Sequence, residues 1–282
     1  MTPAGAGEAA GTLDTVIVPL DGSPFAERGL VPAAALASRV GAELVVFTSS
    51  DNGPTMEPET YLSEAIVRAG APDATSIASD DPVVHGLEYV IRGADRPVIC
   101  MSTHGRSGVR QLLLGSVAEA ITRELRVPML LVGPATDLDL AQRFDTAVVC
   151  TDGSDVSDAI VPVIAEWRRG LSLQTWVVQV LDPDVRRALD ESGEIVTEEN
   201  AVRSIAGLLM EQDGATVNWE VLHGEPVASR IVDYASHVSA SIIAMATHGR
   251  TGLGRVALGS VAARVVHEAH CPVLVTRPRA LR

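Results

Sequence analysis

Short runs of valine, isoleucine and leucine recur along this chain, each followed by a stretch whose apolar residues return every three or four positions. The runs "TVIVPL", "TAVVC" and "SIIAMA" are continuously apolar, as expected of strands covered on both faces. In the first half the pattern predicts strands near 15–20, 43–49, 74–79, 97–102 and 129–133, with helices near 24–39, 57–69, 83–93 and 116–126. The second half predicts strands near 146–151, 173–181, 216–222, 241–246 and 273–276, with helices near 155–169, 196–211, 226–239 and 260–269. Strand and helix alternate throughout, which is the signature of an α/β fold built on a parallel sheet.

The two halves are copies. "STHGRSGVRQLLLGS" at 102–116 returns as "ATHGRTGLGRVALGS" at 246–260, and Gly249 − Gly105, Gly259 − Gly115 and Pro272 − Pro128 all equal 144. A repeat of that length is a whole domain, and 282 residues suit two domains of about 150 residues or fewer. We place the first at 13–135 and the second at 145–278. The polar stretch "PATDLDLAQRF" carries the linker between them, at 136–144. Asp152 − Asp21 is only 131, so the second half gains thirteen residues (144 − 131) between its first and third strands, mostly around its second helix.

Composition narrows the partners. A net charge of −14 and a pI near 4.9 lack the basic footprint that binding to nucleic acid or an anionic membrane surface requires. The opening "MTPAGAGEAAGTLD" has neither a basic nor an apolar segment of a signal peptide, and no apolar run approaches the ~20 residues of a membrane span. A cytoplasmic protein is expected. Cys100, Cys150 and Cys271 lie far apart in apolar segments, which favours buried thiols over disulfides or a metal site.

Four features carry candidate chemistry. "PLDGS" at 19–23 and "CTDGS" at 150–154 end the first strand of each half with Asp21 or Asp152, which either accepts hydrogen bonds from a ligand or closes an Asx-turn. The repeated loop places Gly105 and Gly249 just after the fourth strand and Gly115-Ser116 and Gly259-Ser260 at a helix start. Backbone N–H groups and a helix dipole there suit phosphate. Ser116-x-x-Glu119 also fits a capping box, but Ala263 replaces that glutamate in the second copy. Arg106 and Arg250, with Arg110 and Arg255 beyond them, offer forks for phosphate oxygens or stand as solvated loop residues. His104 and His248 lack metal-ligating neighbours in sequence, so a ring bonded to the loop backbone is favoured over a catalytic one.

With strand order 3-2-1-4-5, "DGS" and "THG" face each other where the chain reverses direction, the place where such sheets bind ligands. A nucleotide fits that crevice, phosphates on the glycine loop and adenine and ribose towards the aspartate and the ends of strands one and two.

From about residue 13 to 278, each half resembles a universal stress protein domain. The resemblance rests on the Gly-x9-Gly-Ser spacing, "LGSVA", and the closing strands "VPMLLV" and "CPVLVT". It implies two tandem Rossmann-like domains of the adenine nucleotide alpha hydrolase-like type, each a five-stranded parallel sheet in order 3-2-1-4-5 with helices on both faces. It also implies pairing of domains through their last strands and a role in stress response or growth regulation. The ATP contacts it implies are Asp21, Ser49, Met101, Ser102, Gly105, Arg106, Gly115 and Ser116 in the first half. In the second they are Asp152, Val180, Met245, Ala246, Gly249, Arg250, Gly259 and Ser260. The cofactor is then ATP, with or without Mg2+, and four domains in a homodimer of chains is the expected assembly. Ser102 and Ala246 stand where the family motif has its first glycine. Asp80 and Asp81 add negative charge near the first crevice, so the second site is expected to be the tighter. A nucleotide-free interaction module of the same fold is the alternative. An ATP-consuming transferase or pyrophosphatase ranks last, because neither "LDGSPFAE" nor "TDGSDVSD" supplies an HxGH or SGGxDS motif; no catalytic residue is assigned, with slow ATP hydrolysis left open.

Overall fold

The computed structural model describes residues 13–51, 53–103, 114–181, 199–247 and 258–277. In the first half, β1 (Thr15–Leu20), β2 (Glu43–Ser49), β3 (Thr75–Ser79), β4 (Pro97–Ser102) and β5 (Met129–Val132) alternate with α1 (Pro24–Glu27), α2 (Leu30–Val40), α3 (Pro58–Arg68), α4 (Val83–Arg92) and α5 (Ser116–Glu124). The second half contributes β6 (Thr146–Thr151), β7 (Gln174–Leu181), β8 (Val217–His223), β9 (Ile242–Ala246) and β10 (Val273–Thr276). Its helices are α6 (Val161–Leu171), α7 (Asn200–Asp213), α8 (Val227–His237) and α9 (Ser260–Glu268).

Two helices expected to be continuous are broken, each for the same reason. The stretch expected over 24–39 divides into α1 and α2 around Gly29, and the one expected over 155–169 begins as a 3-10 turn (Ser157–Ile160) before α6. Pro32 and Pro162 lack the N–H that would bond the carbonyl four residues earlier, and their rings crowd it. Those carbonyls belong to Arg28 and Asp158, where the regular helix fails.

The strands form one ten-stranded sheet in the order β3-β2-β1-β4-β5-β10-β9-β6-β7-β8. Each half therefore has the order 3-2-1-4-5. Every neighbouring pair is parallel except β5 and β10, which run antiparallel with Leu131 opposite Val273 and Met129 opposite Val275. The last strands expected to mediate pairing thus pair with each other inside one chain, which takes up the strand edges expected to join two chains.

Alternate strand residues feed two cores. Val16, Val18 and Val46, with Val149 and Val177 from the other half, pack under α2, α3, α6 and α7. Ile17, Phe47, Val148 and Val178 face α4, α5, α8 and α9. The stretch between the halves packs as well: Ala141 and Phe144 are fully buried, and the Phe144 ring meets Trp167 edge-on at 6.4 Å. Arg28 donates to the Thr136 carbonyl at 2.7 Å and Asp137 N–H to the His270 carbonyl at 2.7 Å. At the close approach of the halves, Gly133 is required: a Cβ there would stand 1.8 Å from the Val266 carbonyl oxygen of α9.

Cys100, Cys150 and Cys271 are buried free thiols. Among the described residues, no helix is long and apolar enough to cross a membrane.

Candidate functional site

The sheet order sets β1 between β2 and β4, and β6 between β7 and β9. The carboxyl ends of these strands, and the turns that leave them, converge in each half.

In both halves the aspartate after the first strand closes an Asx-turn. Ser23 N–H donates to Asp21 Oδ1 at 2.9 Å, and Ser154 N–H donates to Asp152 Oδ1 at 3.0 Å. Gly22 and Gly153 take the positive φ angles, 83° and 76°, that this turn demands. Ser23 then caps α1 by accepting from Ala26 N–H. The second turn is held further by hydroxyls. Ser157 Oγ donates to the Ser154 carbonyl at 2.8 Å and accepts from Asp152 N–H at 3.3 Å, and it lies 2.9 Å from Thr151 Oγ1. Asp158, one residue on, has its carboxyl pushed above the ordinary carboxylate range, chiefly by burial and secondarily by Asp155 and Asp152.

The capping box that Ser116-x-x-Glu119 would also fit does not form. Gly115 occupies the N-cap of α5 with no side-chain cap, which makes Ser116 the first helical residue; Gly259 and Ser260 repeat this at α9. The backbone there closes against the strand end. Gly115 N–H donates to the Thr103 carbonyl at 2.9 Å, and Gly259 N–H to the Thr247 carbonyl at 2.7 Å. The serines and the first amides of both helices are thereby held beside the ends of β4 and β9.

In the second half these parts enclose a cavity of about 290 Å³. Six of the residues singled out from sequence line it together: Asp152, Val180, Met245, Ala246, Gly259 and Ser260. Gly249 and Arg250 lie outside the described residues, as do Gly105, Arg106 and both loop histidines. Sequence reasoning missed the apolar wall formed by Val178, Val227 and Ile231. Its signal was available, since Val178 precedes Val180 by two on one strand face and Val227 and Ile231 are four apart on one helix face. Among the described lining residues, Asp152 is the one carboxylate, and burial pushes the Cys150 thiol up to about 12, so that it adds a neutral wall. Val227, Ser260 and Val261 are shared with an open depression between the N-termini of α8 and α9, which Glu225 and Arg264 also line. Arg264 Nε donates to Glu268 at 2.7 Å.

In the first half, Asp21, Ser49, Met101, Ser102, Gly115 and Ser116 occupy the corresponding strand ends and helix start. Ser49 is already engaged: it is buried, and its hydroxyl lies 2.7 Å from the Asp81 carbonyl and against the Asp51 carboxylate.

A sequence profile described as the universal stress protein family matches residues 12–133 and again 143–277. The chain belongs to the universal stress protein family. It is 36% identical over 138 residues to a universal stress protein of Methanocaldococcus jannaschii, covering 46% of this chain and 80% of that one. With a universal stress protein of Mycobacterium tuberculosis it shares 28% identity over 189 residues, 64% of this chain and 61% of the relative's length. Among solved structures, a universal stress protein of Archaeoglobus fulgidus superposes with a TM-score of 0.64 at 17% identity, over 95% of this chain and 97% of that one. A structure from Pseudomonas aeruginosa, described as a functionally unknown protein, superposes at 0.62 with 14% identity, over 94% and 93% of the two chains. Both halves of this universal stress protein thus share the tandem Rossmann-like architecture of those structures.

Proposed function

We propose that this universal stress protein binds an adenine nucleotide, ATP foremost, at the strand ends of its domains, here taken as 13–135 and 145–278, and acts in stress response or growth regulation as a holder of that nucleotide. The observation that carries this reading is the second-half cavity, in which Asp152, the apolar pair Val178 and Val180, and the Gly259-Ser260 helix start meet in one space. Its apolar wall suits a purine ring, and a carboxylate at one edge suits ribose hydroxyls. The amides opening α9, aided by the dipole of that helix, suit phosphate oxygens directed towards the depression that holds Arg264. The sequence assigns the same roles to Gly105, Arg106, Gly249 and Arg250.

Among the described residues, no group of three or more histidine, cysteine, aspartate or glutamate side chains gathers into a cation site. Asp152 is fixed by its own turn and by Ser154 Oγ, an arrangement suited to orienting a hydroxyl.

The test is nucleotide content. Protein purified without added nucleotide is denatured, and the supernatant is analysed for released adenine nucleotide; apo protein is then titrated with ATP. Release of ATP or ADP, or saturable binding, is expected. Absence of both would favour the interaction module, in which Asp21 and Asp152 serve only their Asx-turns.

A further inference from the structure

The halves differ at one position of the apolar wall. Val178 stands opposite Cys150 in β6, two residues before Asp152; in the first half Phe47 stands opposite Pro19, two residues before Asp21. Phe47 is thus the positional counterpart of Val178, and both face the same core. The Phe47 ring is fully buried and runs outward onto α4 at Gly86, where a Cβ would stand 2.7 Å from its Cζ. By the 144-residue offset, Gly86 matches Arg230, and its neighbours Val83 and Leu87 match Val227 and Ile231, which line the second-half cavity. The large ring and the missing side chain fit together: glycine on α4 makes room for phenylalanine on β2. Phe47, Val83 and Leu87 share one core, with that ring set against Gly86.

Ser49, two residues on along β2, is also engaged. Its hydroxyl ties the end of β2 to the Asp81 carbonyl, which begins the approach to α4. Its counterpart Val180 has no hydroxyl to make such a tie, and it lines the cavity.

We infer that the chain holds one nucleotide, in its second half, and that Phe47 is the residue that closes the first crevice to a purine. This rests on the nucleotide reading above and narrows it from both domains to the second, assigning stoichiometry and a specificity residue. A phenylalanine ring takes up more volume at this strand position than the valine of the second half, and a purine would have to displace it.

The experiment is calorimetric titration of the full chain with ATP, paired with photolabelling by 8-azido-ATP and peptide mapping. One equivalent per chain is expected, with label confined to the second half. Two equivalents, or label in the first half, overturn the inference while leaving nucleotide binding intact; no binding at all overturns the reading beneath it and this inference with it. Phe47→Val is expected to add a second equivalent, and Val178→Phe to weaken binding by about tenfold or more. A folded Phe47→Val that still binds one equivalent, or a folded Val178→Phe that binds as tightly as before, removes Phe47 from the role. Folding of each is checked by its melting curve; if Phe47→Val fails to fold, the milder Phe47→Leu is titrated in its place, and a folded Phe47→Leu with no added first-half label removes Phe47 from the role.

Discussion

Asp158 shows what a single residue contributes near the cavity. Burial and the neighbouring Asp155 and Asp152 raise its pKa, so the folded chain holds its proton more tightly than the unfolded chain does. Its contribution to stability is then most favourable at low pH. It declines as pH rises from the ordinary carboxylate value near ~4 through the raised folded value, and the penalty persists above that. Asp158→Asn is expected to melt higher than the parent at pH 7, with the gap closing as pH falls below ~4; a gap that stays constant or widens on acidification would contradict this. Such a residue is hard to recognise in "TDGSDVSD", because its environment comes from the Thr151 and Ser157 hydroxyls and from the break that Pro162 imposes. Asp152, Gly259 and Ser260 were legible because turn and cap chemistry is local in sequence. Val178 and Phe47 were not singled out, since an apolar strand residue looks alike whether it lines a cavity or packs against a helix.

Among elements, α6 and α7 are joined by one ion pair with a buried arginine as well as by apolar packing. Arg168 is 1% exposed in its side chain and grips Asp213 with two bonds, Nε to Oδ2 at 2.9 Å and Nη2 to Oδ1 at 3.0 Å; Nη2 also reaches the Ala215 carbonyl. Arg168 Nη1 is buried without a partner, which leaves the guanidinium strongly dependent on this carboxylate. Asp213→Ala is expected to lower unfolding free energy by ~3–5 kcal/mol, measured by urea denaturation at pH 7, because it strands a buried charge. The Arg168 hydrogen bonds hold the Asp213 pKa below its ordinary value, so this stabilisation is present above the ordinary carboxylate range and is lost as pH falls through the lowered one. A loss under ~1 kcal/mol at pH 7 would show that α7 docks by its apolar face alone, through Val202, Ile205 and Leu209. Elements were the most legible scale. Their order follows from apolar periodicity, whereas the splits at Arg28 and Asp158 follow from proline chemistry that periodicity does not weigh.

For the whole molecule, the sheet runs without interruption from β3 to β8, and the stretch joining the halves is packed against both. The first core draws residues from both halves, including Phe144. Heating is therefore expected to give one calorimetric transition, with a midpoint that does not move over a tenfold range of protein concentration. Two separated transitions would mean the halves unfold independently, and a rising midpoint would mean chains assemble through surfaces other than β5 and β10. The repeat in sequence announced two domains. That they meet each other through β5 and β10 was one of two options open in sequence, since strand edges of the same composition serve equally within or between chains.

The antiparallel junction of β5 with β10 also bears on how the two halves can diverge. Two identical chains meeting at such a seam carry every substitution twice, once on each side. Here the partners are tethered, so one never meets a copy of itself at this seam and dilution does not separate them. Gly133 can yield to the Val266 carbonyl while its counterpart, Arg277, reaches across to the Arg123 carbonyl at the end of α5. Tethering turns a self-complementary seam into one with two distinct sides, and a change in one crevice leaves the other free to keep its chemistry.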